Sequence, residues 1–305
     1  MKIVLLDGYT ANPGDISWDE FQTLGDFTSY DFTEPELTME RIGDAQIVMT
    51  NKVEITREII EKSKIRYIGV IATGYNVVDI EAAKEYGIIV TNIPDYSSDV
   101  VAQWVFALLL ELTSKVSLHN DAVHAGEWSE SRDFCFWKAP LGELLDKTIG
   151  IIGYGKIGKN VGKIAEAFGM KIAYVTSKEG NIDKLLSTSD VISLNCPLTE
   201  SNAEIISKET INKMKDGVLI INAARGGLVN EQDLADALKS GKVAAAGLDV
   251  LSAEPPEPDN PLLAAPNCVI TPHIAWAAKE TRERLLHIAA ENIKAFFEGN
   301  AVNVI

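Results

Sequence analysis

The chain has 305 residues, 46% of them apolar and 24% charged, a length beyond the about 250 residues of a single core, so two folded domains are expected. Lys and Arg number 28 against 44 Asp and Glu, a net charge of −16, which repels nucleic acid and anionic membrane surfaces and argues against both as partners. Cys135, Cys196 and Cys268 are widely spaced and form no Cys-x-x-Cys pair, so no disulfide framework and no metal site is indicated, and a reducing compartment, the cytoplasm, is implied.

At the N-terminus, Lys2-Ile3-Val4-Leu5-Leu6 meets Asp7 after four apolar residues, too short a core for a leader and suited to a first strand. No apolar run approaches the roughly 18 to 20 residues of a membrane span. Further strands are expected at Ile47–Asn51, Ile65–Ala72 and Ile88–Asn92, joined by amphipathic connections, the pattern of a parallel sheet with helical crossovers. Pro94 and the polar run Asp95–Asp99 interrupt it and supply helix N-caps, marking a domain boundary. The helix that follows, Asp99 to Lys115, is apolar on most faces; it is expected to be buried, in its own domain or against a second subunit, with the subunit interface favoured.

Six more strands follow, at Thr148–Gly153, Lys171–Thr176, Val191–Cys196, Val218–Ala223, Ala245–Val250 and Cys268–His273, and then a long amphipathic helix from Lys279 to Glu298. The expected fold is α/β, two doubly wound parallel-sheet domains with the second a Rossmann domain. Residues 1–98, completed by the C-terminal helix from about residue 286 to 305, would form a substrate domain, and residues 99–285 the dinucleotide domain.

Ile151-Ile152-Gly153-Tyr154-Gly155-Lys156-Ile157-Gly158 runs from a strand through G-x-G-x-x-G into a helix. In that context Gly153 allows the tight turn, Gly155 lets backbone approach a pyrophosphate and Gly158 lets helix and strand pack closely, so a nicotinamide dinucleotide is the expected cofactor. The acidic residue expected after the next strand to hold the ribose 2′-hydroxyl is replaced by Thr176-Ser177-Lys178. A carboxylate there would repel a 2′-phosphate, whereas two hydroxyls and a lysine attract it, so NAD or NADP is expected, with NADP slightly favoured.

Ligands of open α/β sheets lie beyond the carboxyl ends of the strands. Three polar groups stand there, Arg225 after the fourth strand of this series, Glu254 after the fifth and His273 after the sixth. Interconverting a 2-keto and a 2-hydroxy acid needs a hydride donor, a proton donor for the carbonyl oxygen and a cation for the carboxylate. His273 suits the proton, with Glu254 orienting it, and Arg225 offers a planar donor fork to substrate oxygens.

On Gly-Tyr-Gly-Lys-Ile-Gly, Asn-Ala-Ala-Arg-Gly-Gly, Gly-Leu-Asp-Val with its following Glu-Pro, and Thr-Pro-His-Ile-Ala-Trp, the chain resembles the D-isomer-specific 2-hydroxyacid dehydrogenases along essentially its whole length. The resemblance implies Arg225 as substrate binder, His273 as acid/base and Glu254 as its partner. It also implies cofactor contacts at Lys156, Ile157, Cys196, Pro197, Ala223, Ala224 and Asp249, the last near the nicotinamide amide. Ala72–Asn76 looks like the family's substrate loop, with the backbone amides of Thr73 and Gly74 holding the carboxylate. That loop, Asn92–Tyr96, His273–Trp276 and Ala301–Val304 look most like glycerate dehydrogenases that act as hydroxypyruvate or glyoxylate reductases, and a homodimer is implied.

Asn202 stands where relatives commonly have Thr. Phe136 or Trp137 either reaches a neighbouring subunit's active site or packs on its own domain surface, and His119, His124 and His287 read as structural. The alternative activity is a nicotinamide-sensing protein like the corepressors of similar fold, which carry extra tails that this sequence lacks. Formate dehydrogenase, also similar in fold, needs no Glu beside its His, so Glu254 argues against it.

Overall fold

A computed structural model describes residues 1–305. The chain divides into two compact units, the first formed by Met1–Ser97 with Trp276–Ile305 and the second by Ser98–Ala275.

The first unit opens with β1 (Lys2–Leu5), α1 (Asp19–Leu24), β2 (Asp26–Ser29), α2 (Thr38–Ile42), β3 (Ile47–Thr50), α3 (Arg57–Lys62), β4 (Tyr67–Val70), α4 (Ile80–Glu85) and β5 (Ile89–Thr91). Its strands form a parallel sheet in the order β2-β1-β3-β4-β5. Every residue of β3 and β4 is buried, as a strand covered on both faces requires, which is why these two read so clearly as apolar runs. Edge strand β2 escaped the sequence reading because Asp-Phe-Thr-Ser is short, begins with an acid and alternates exposed and half-buried positions. Side-chain alternation splits the core into two layers: Ile3, Leu5, Met49 and Tyr67 face one, and Val4, Leu6, Val48 and Ile68 the other.

The second unit holds α5 (Ser98–Ser114), α6 (Val116–His124), β6 (Thr148–Ile152), α7 (Lys156–Ala167), β7 (Lys171–Val175), α8 (Ile182–Thr188), β8 (Val191–Leu194), α9 (Lys208–Lys213), β9 (Val218–Asn222), α10 (Glu231–Ser240), β10 (Val243–Leu248) and β11 (Cys268–Ile270). All six strands are parallel, ordered β11-β10-β9-β8-β6-β7. The order reverses at β6, so the carboxyl ends of β6 and β8 border the crevice in which such sheets bind dinucleotides. The apolar stripe of α5, including Val105, Leu108, Leu109 and Leu112, packs with Ile149, Ile151, Val161 and Ala165 in this unit's own core. The burial expected of this helix is met, on this stripe, within its own unit.

The chain returns to the first unit through α11 (Lys279–Phe297). Leu285, Leu286, Ala289, Ala290 and Ile293 of α11 join the Ile3 and Tyr67 layer, while Arg282 forms a bidentate pair with Asp15 at 2.8 and 2.7 Å. Because Thr281, Arg282 and Leu285 are already buried there, the crossing falls at Trp276 rather than near residue 286. The terminus is fixed as well, since Ile305 N donates to Val90 O at 3.0 Å. No single helix is long and apolar enough to cross a membrane.

Candidate active site

The glycine loop follows β6 without a break. Gly153 has φ +94°, and a Cβ on it would lie 2.7 Å from the Asn195 backbone, so only glycine lets the loops after β6 and β8 touch. A Cβ on Gly158 would lie 2.2 Å from Gly153 O, the close strand-to-helix approach foreseen from the motif. Gly155 faces open space. It caps α7 with no side-chain hydrogen bond, and no acidic residue occupies the first turn, so the N-terminus of this twelve-residue helix has the polarity that suits an anion.

Around this crevice, Thr176 Oγ1 accepts from the N–H groups of Lys178 and Glu179 at 3.2 and 3.1 Å, which folds the Thr176-Ser177-Lys178 segment into a tight turn with Ser177 and Lys178 exposed. After β8, Asn202 shapes the Cys196-Pro197 loop: its Nδ2 donates to Pro197 O at 2.8 Å and its Oδ1 accepts from Thr199 N at 2.7 Å. Burial raises the Cys196 thiol pKa above its ordinary value. Asn195 Oδ1, beside Gly153, is buried without a hydrogen-bond partner in the chain. An open helix N-terminus, a glycine surface and an acceptor at the sheet's reversal point together fit a dinucleotide.

The remaining candidates stand along the same edge. At the end of β9 the buried Asn222 accepts from Ala224 N at 3.0 Å and donates to Arg225 O at 2.9 Å, curling the chain so that Arg225 is exposed. The Arg225 guanidinium donates to Ala224 O at 2.7 Å and pairs with no carboxylate, which keeps a cation available in a strongly acidic chain. Next to it, a Cβ on Gly226 would lie 1.9 Å from Leu251 C and O. That backbone contact ties the Arg225 loop to the loop after β10.

Glu254 closes the chain of contacts. One of its oxygens accepts from Leu251 N at 3.2 Å and the other lies 2.6 Å from His273 Nδ1. A carboxylate only accepts, so Nδ1 carries the hydrogen and Nε2 is the nitrogen directed elsewhere. Both side chains are about one-third exposed, at 37% and 33%, which keeps the pair accessible to a small molecule.

His273 has φ +54°, a left-handed backbone uncommon for a non-glycine residue, and Asp249 is what holds it there. Asp249 is 1% exposed. It accepts from Thr271 Oγ1 at 2.6 Å, Ile274 N at 3.0 Å and Ala275 N at 2.8 Å, while its backbone oxygen takes the His273 N–H at 2.8 Å. Burial pushes its carboxyl pKa up, and the bonds from Thr271, Ala275 and Ile274 pull the other way. Its carboxylate thus serves the turn that presents His273. Trp104 Nε1 extends the network by donating to Thr271 Oγ1 at 3.2 Å.

Residues 106–275 match the family model described as D-isomer specific 2-hydroxyacid dehydrogenase, NAD binding domain. The chain belongs to the D-isomer specific 2-hydroxyacid dehydrogenase family. It is 54% identical over 320 residues to a hydroxypyruvate reductase of Blautia hydrogenotrophica, covering 100% of this chain and 99% of that one. It is 39% identical over 312 residues to a glycerate dehydrogenase of Methylorubrum extorquens, covering 100% and 98%. Among solved structures, an acyclic imino acid reductase in complex with NADPH and D-Arg superposes with a TM-score of 0.86 at 33% identity over the full length of both chains. The family read from the motifs and the two-domain parallel α/β fold are therefore borne out, and with them an oxidoreductase that uses a nicotinamide cofactor.

In this dehydrogenase the first unit carries Thr73 and Gly74 on the turn after β4. Thr73 Oγ1 donates to Ile93 O at 2.9 Å and Asn92 Nδ2 to Thr73 O at 2.7 Å, so the turn is fixed to the loop after β5, and neither the Thr73 nor the Gly74 N–H donates within the chain. Trp137 is 69% exposed and does not pack on the surface of its own unit, whereas Phe136 is half-buried. His119 is structural, accepting from Lys138 N at 3.1 Å. Asn222 and Thr271 were missed from sequence; the signal was polar residues at strand ends directly before Arg225 and His273.

Proposed function

We propose that the protein reduces hydroxypyruvate or glyoxylate to D-glycerate or glycolate at the expense of NAD(P)H. The observation that carries this is the His273 Nδ1 to Glu254 Oε2 contact of 2.6 Å at the carboxyl edge of a dinucleotide-type sheet. The relatives named hydroxypyruvate reductase and glycerate dehydrogenase support the choice of substrate.

In this reading the bound nicotinamide supplies the hydride. Gly153, Gly155, Lys156, Ile157 and Gly158 hold the pyrophosphate, Thr176, Ser177 and Lys178 the adenosine ribose, and Cys196, Pro197, Ala223 and Ala224 line the path toward the nicotinamide. His273 Nε2 holds the proton that the carbonyl oxygen takes up, and Glu254 stabilises the positive charge of the protonated ring. Arg225 binds the carboxylate and the carbonyl oxygen through its planar fork. The N–H groups of Thr73 and Gly74, in a first unit that serves as the substrate domain, hold the carboxylate's remaining lone pairs. Asp249 acts through the His273 turn.

Ser177 and Lys178, exposed and without an acidic residue in the place that selects NAD, support a modest NADP preference. The enzyme acts as a homodimer in the cytoplasm, a reading supported by three dispersed free cysteines and by Trp128, Phe134 and Trp137, exposed at 52%, 89% and 69%, large apolar side chains on one segment that a second subunit would cover. Chiral chromatography of the product tests the reading: D-glycerate from hydroxypyruvate is expected, and L-glycerate or no product contradicts it.

A further inference from the structure

Ligands of parallel sheets sit beyond the carboxyl ends of the strands. In the first unit, the loops that leave that edge after β1, β3, β4 and β5 carry Asp7, Asp15, Glu54, Asp79 and Asp95 but a single cation, Lys52. Its ammonium forms no ion pair and no hydrogen bond, and the residue is exposed. The backbone beneath it is fixed nonetheless. The carboxylate of Asp7, only 8% exposed, accepts from Asn51 N at 2.8 Å, Lys52 N at 2.5 Å and Val53 N at 3.1 Å. Thr50 Oγ1 donates to Val53 O at 2.8 Å and Asn51 Nδ2 to Thr10 Oγ1 at 3.0 Å. Burying a carboxylate is costly unless donors meet it, so this clamp is a substantial structure to build beneath one solvated lysine.

The clamped loop lies beside the turn that carries Thr73 and Gly74. Thr50 pairs with Val70 in the sheet and Ile71 N donates to Thr50 O at 2.9 Å. Adjacent strands are about 4.8 Å apart, within the length of a lysine side chain. With a 2-keto acid's carboxylate on the Thr73 and Gly74 amides, its third carbon is two bonds farther on, and a donor one strand away reaches a substituent there. We propose that Lys52 donates a hydrogen bond to the C3 hydroxyl of the substrate and so sets a preference for hydroxypyruvate over pyruvate and glyoxylate. This rests on the reading of the first unit as the substrate domain.

The test compares wild type, Lys52→Met and Lys52→Arg in steady-state reduction of hydroxypyruvate, pyruvate and glyoxylate. A hydrogen bond from a charged donor corresponds to about tenfold or more in binding, so in Lys52→Met the ratio of kcat/KM for hydroxypyruvate to that for pyruvate or glyoxylate falls by about that factor, mainly through KM. Lys52→Arg, which keeps a charged donor, retains most of the ratio. An unchanged ratio in Lys52→Met, or equal loss on all three substrates, overturns the role of Lys52 while leaving the dehydrogenase reading in place. Wild-type protein that reduces none of the three overturns both.

Discussion

Glu254 joins two loops with its two oxygens: Oε2 lies 2.6 Å from His273 Nδ1, and Oε1 takes the Leu251 N–H at 3.2 Å. Leu251 is also the residue on which Gly226 rests, so the carboxylate that orients the imidazole shares a support with the loop that carries Arg225. The imidazole of His273 and the loop that carries Arg225 are held by one local structure.

Replacing His273 by Asn removes the proposed proton donor but keeps a polar side chain at a left-handed backbone position that Asn tolerates. Turnover is expected to fall by about 10²–10⁴, with NADH binding, read by fluorescence titration, unaltered. Glu254→Gln keeps an acceptor near His273 but loses the charge, and its kcat falls less than that of His273→Asn. Equal turnover of wild type and His273→Asn would remove the imidazole from the reaction.

Asp249 makes stability depend on pH. Its carboxyl is raised by burial, so the folded chain binds a proton more tightly than the unfolded one. That contribution is present in full below the ordinary carboxylate pKa of about 3.9 and is lost as pH rises through the raised folded value. Asp249→Asn removes it. Thermal melting across acidic pH should therefore show wild type losing stability relative to Asp249→Asn as pH rises through that window; parallel curves would contradict the assignment. Asp249→Ala leaves three donors unmet, each costing about 1–3 kcal/mol, and it lowers kcat by releasing the His273 turn.

The three thiols should separate by reactivity. Cys135 is exposed, whereas burial raises the Cys196 thiol and pushes Cys268 up to about 12. Alkylation at mildly alkaline pH, followed by peptide mass spectrometry, is expected to label Cys135 first and Cys268 last, since the thiolate is the nucleophile. Added NADPH should slow Cys196 further. Labelling of Cys268 before Cys135 would contradict the packing.

The Thr176-Ser177-Lys178 turn carries the cofactor prediction. Lys178→Ala removes the charge proposed to meet a 2′-phosphate, so KM for NADPH should rise by about tenfold with little change for NADH. A proportional rise for both cofactors would instead place Lys178 away from the 2′ position.

Much of this was legible in the sequence because parallel strands buried on both faces write themselves as apolar runs, and because G-x-G-x-x-G is interpretable once a strand precedes it and a helix follows. Arg225, Glu254 and His273 were legible for the same reason, as polar residues at strand ends. The rest was not. β2 is an edge strand whose four residues have only β1 to pair with, so no strong pattern is imposed on it. The function of Asp249 depends on Ile274 and Ala275 folding back on it, and the clamp of Asp7 on Lys52 spans 45 residues; contacts of that range leave no local periodicity. The apolar character of α5 did announce burial, but composition does not name the surface that buries it.

Loss of reduced-nicotinamide absorbance on adding hydroxypyruvate or glyoxylate, with wild type and His273→Asn measured side by side, tests most directly whether the protein reduces these keto acids through His273. Turnover by wild type with at least one of NADH and NADPH is expected, and its near-abolition in His273→Asn. Absence of turnover by wild type with both keto acids and both cofactors would contradict it.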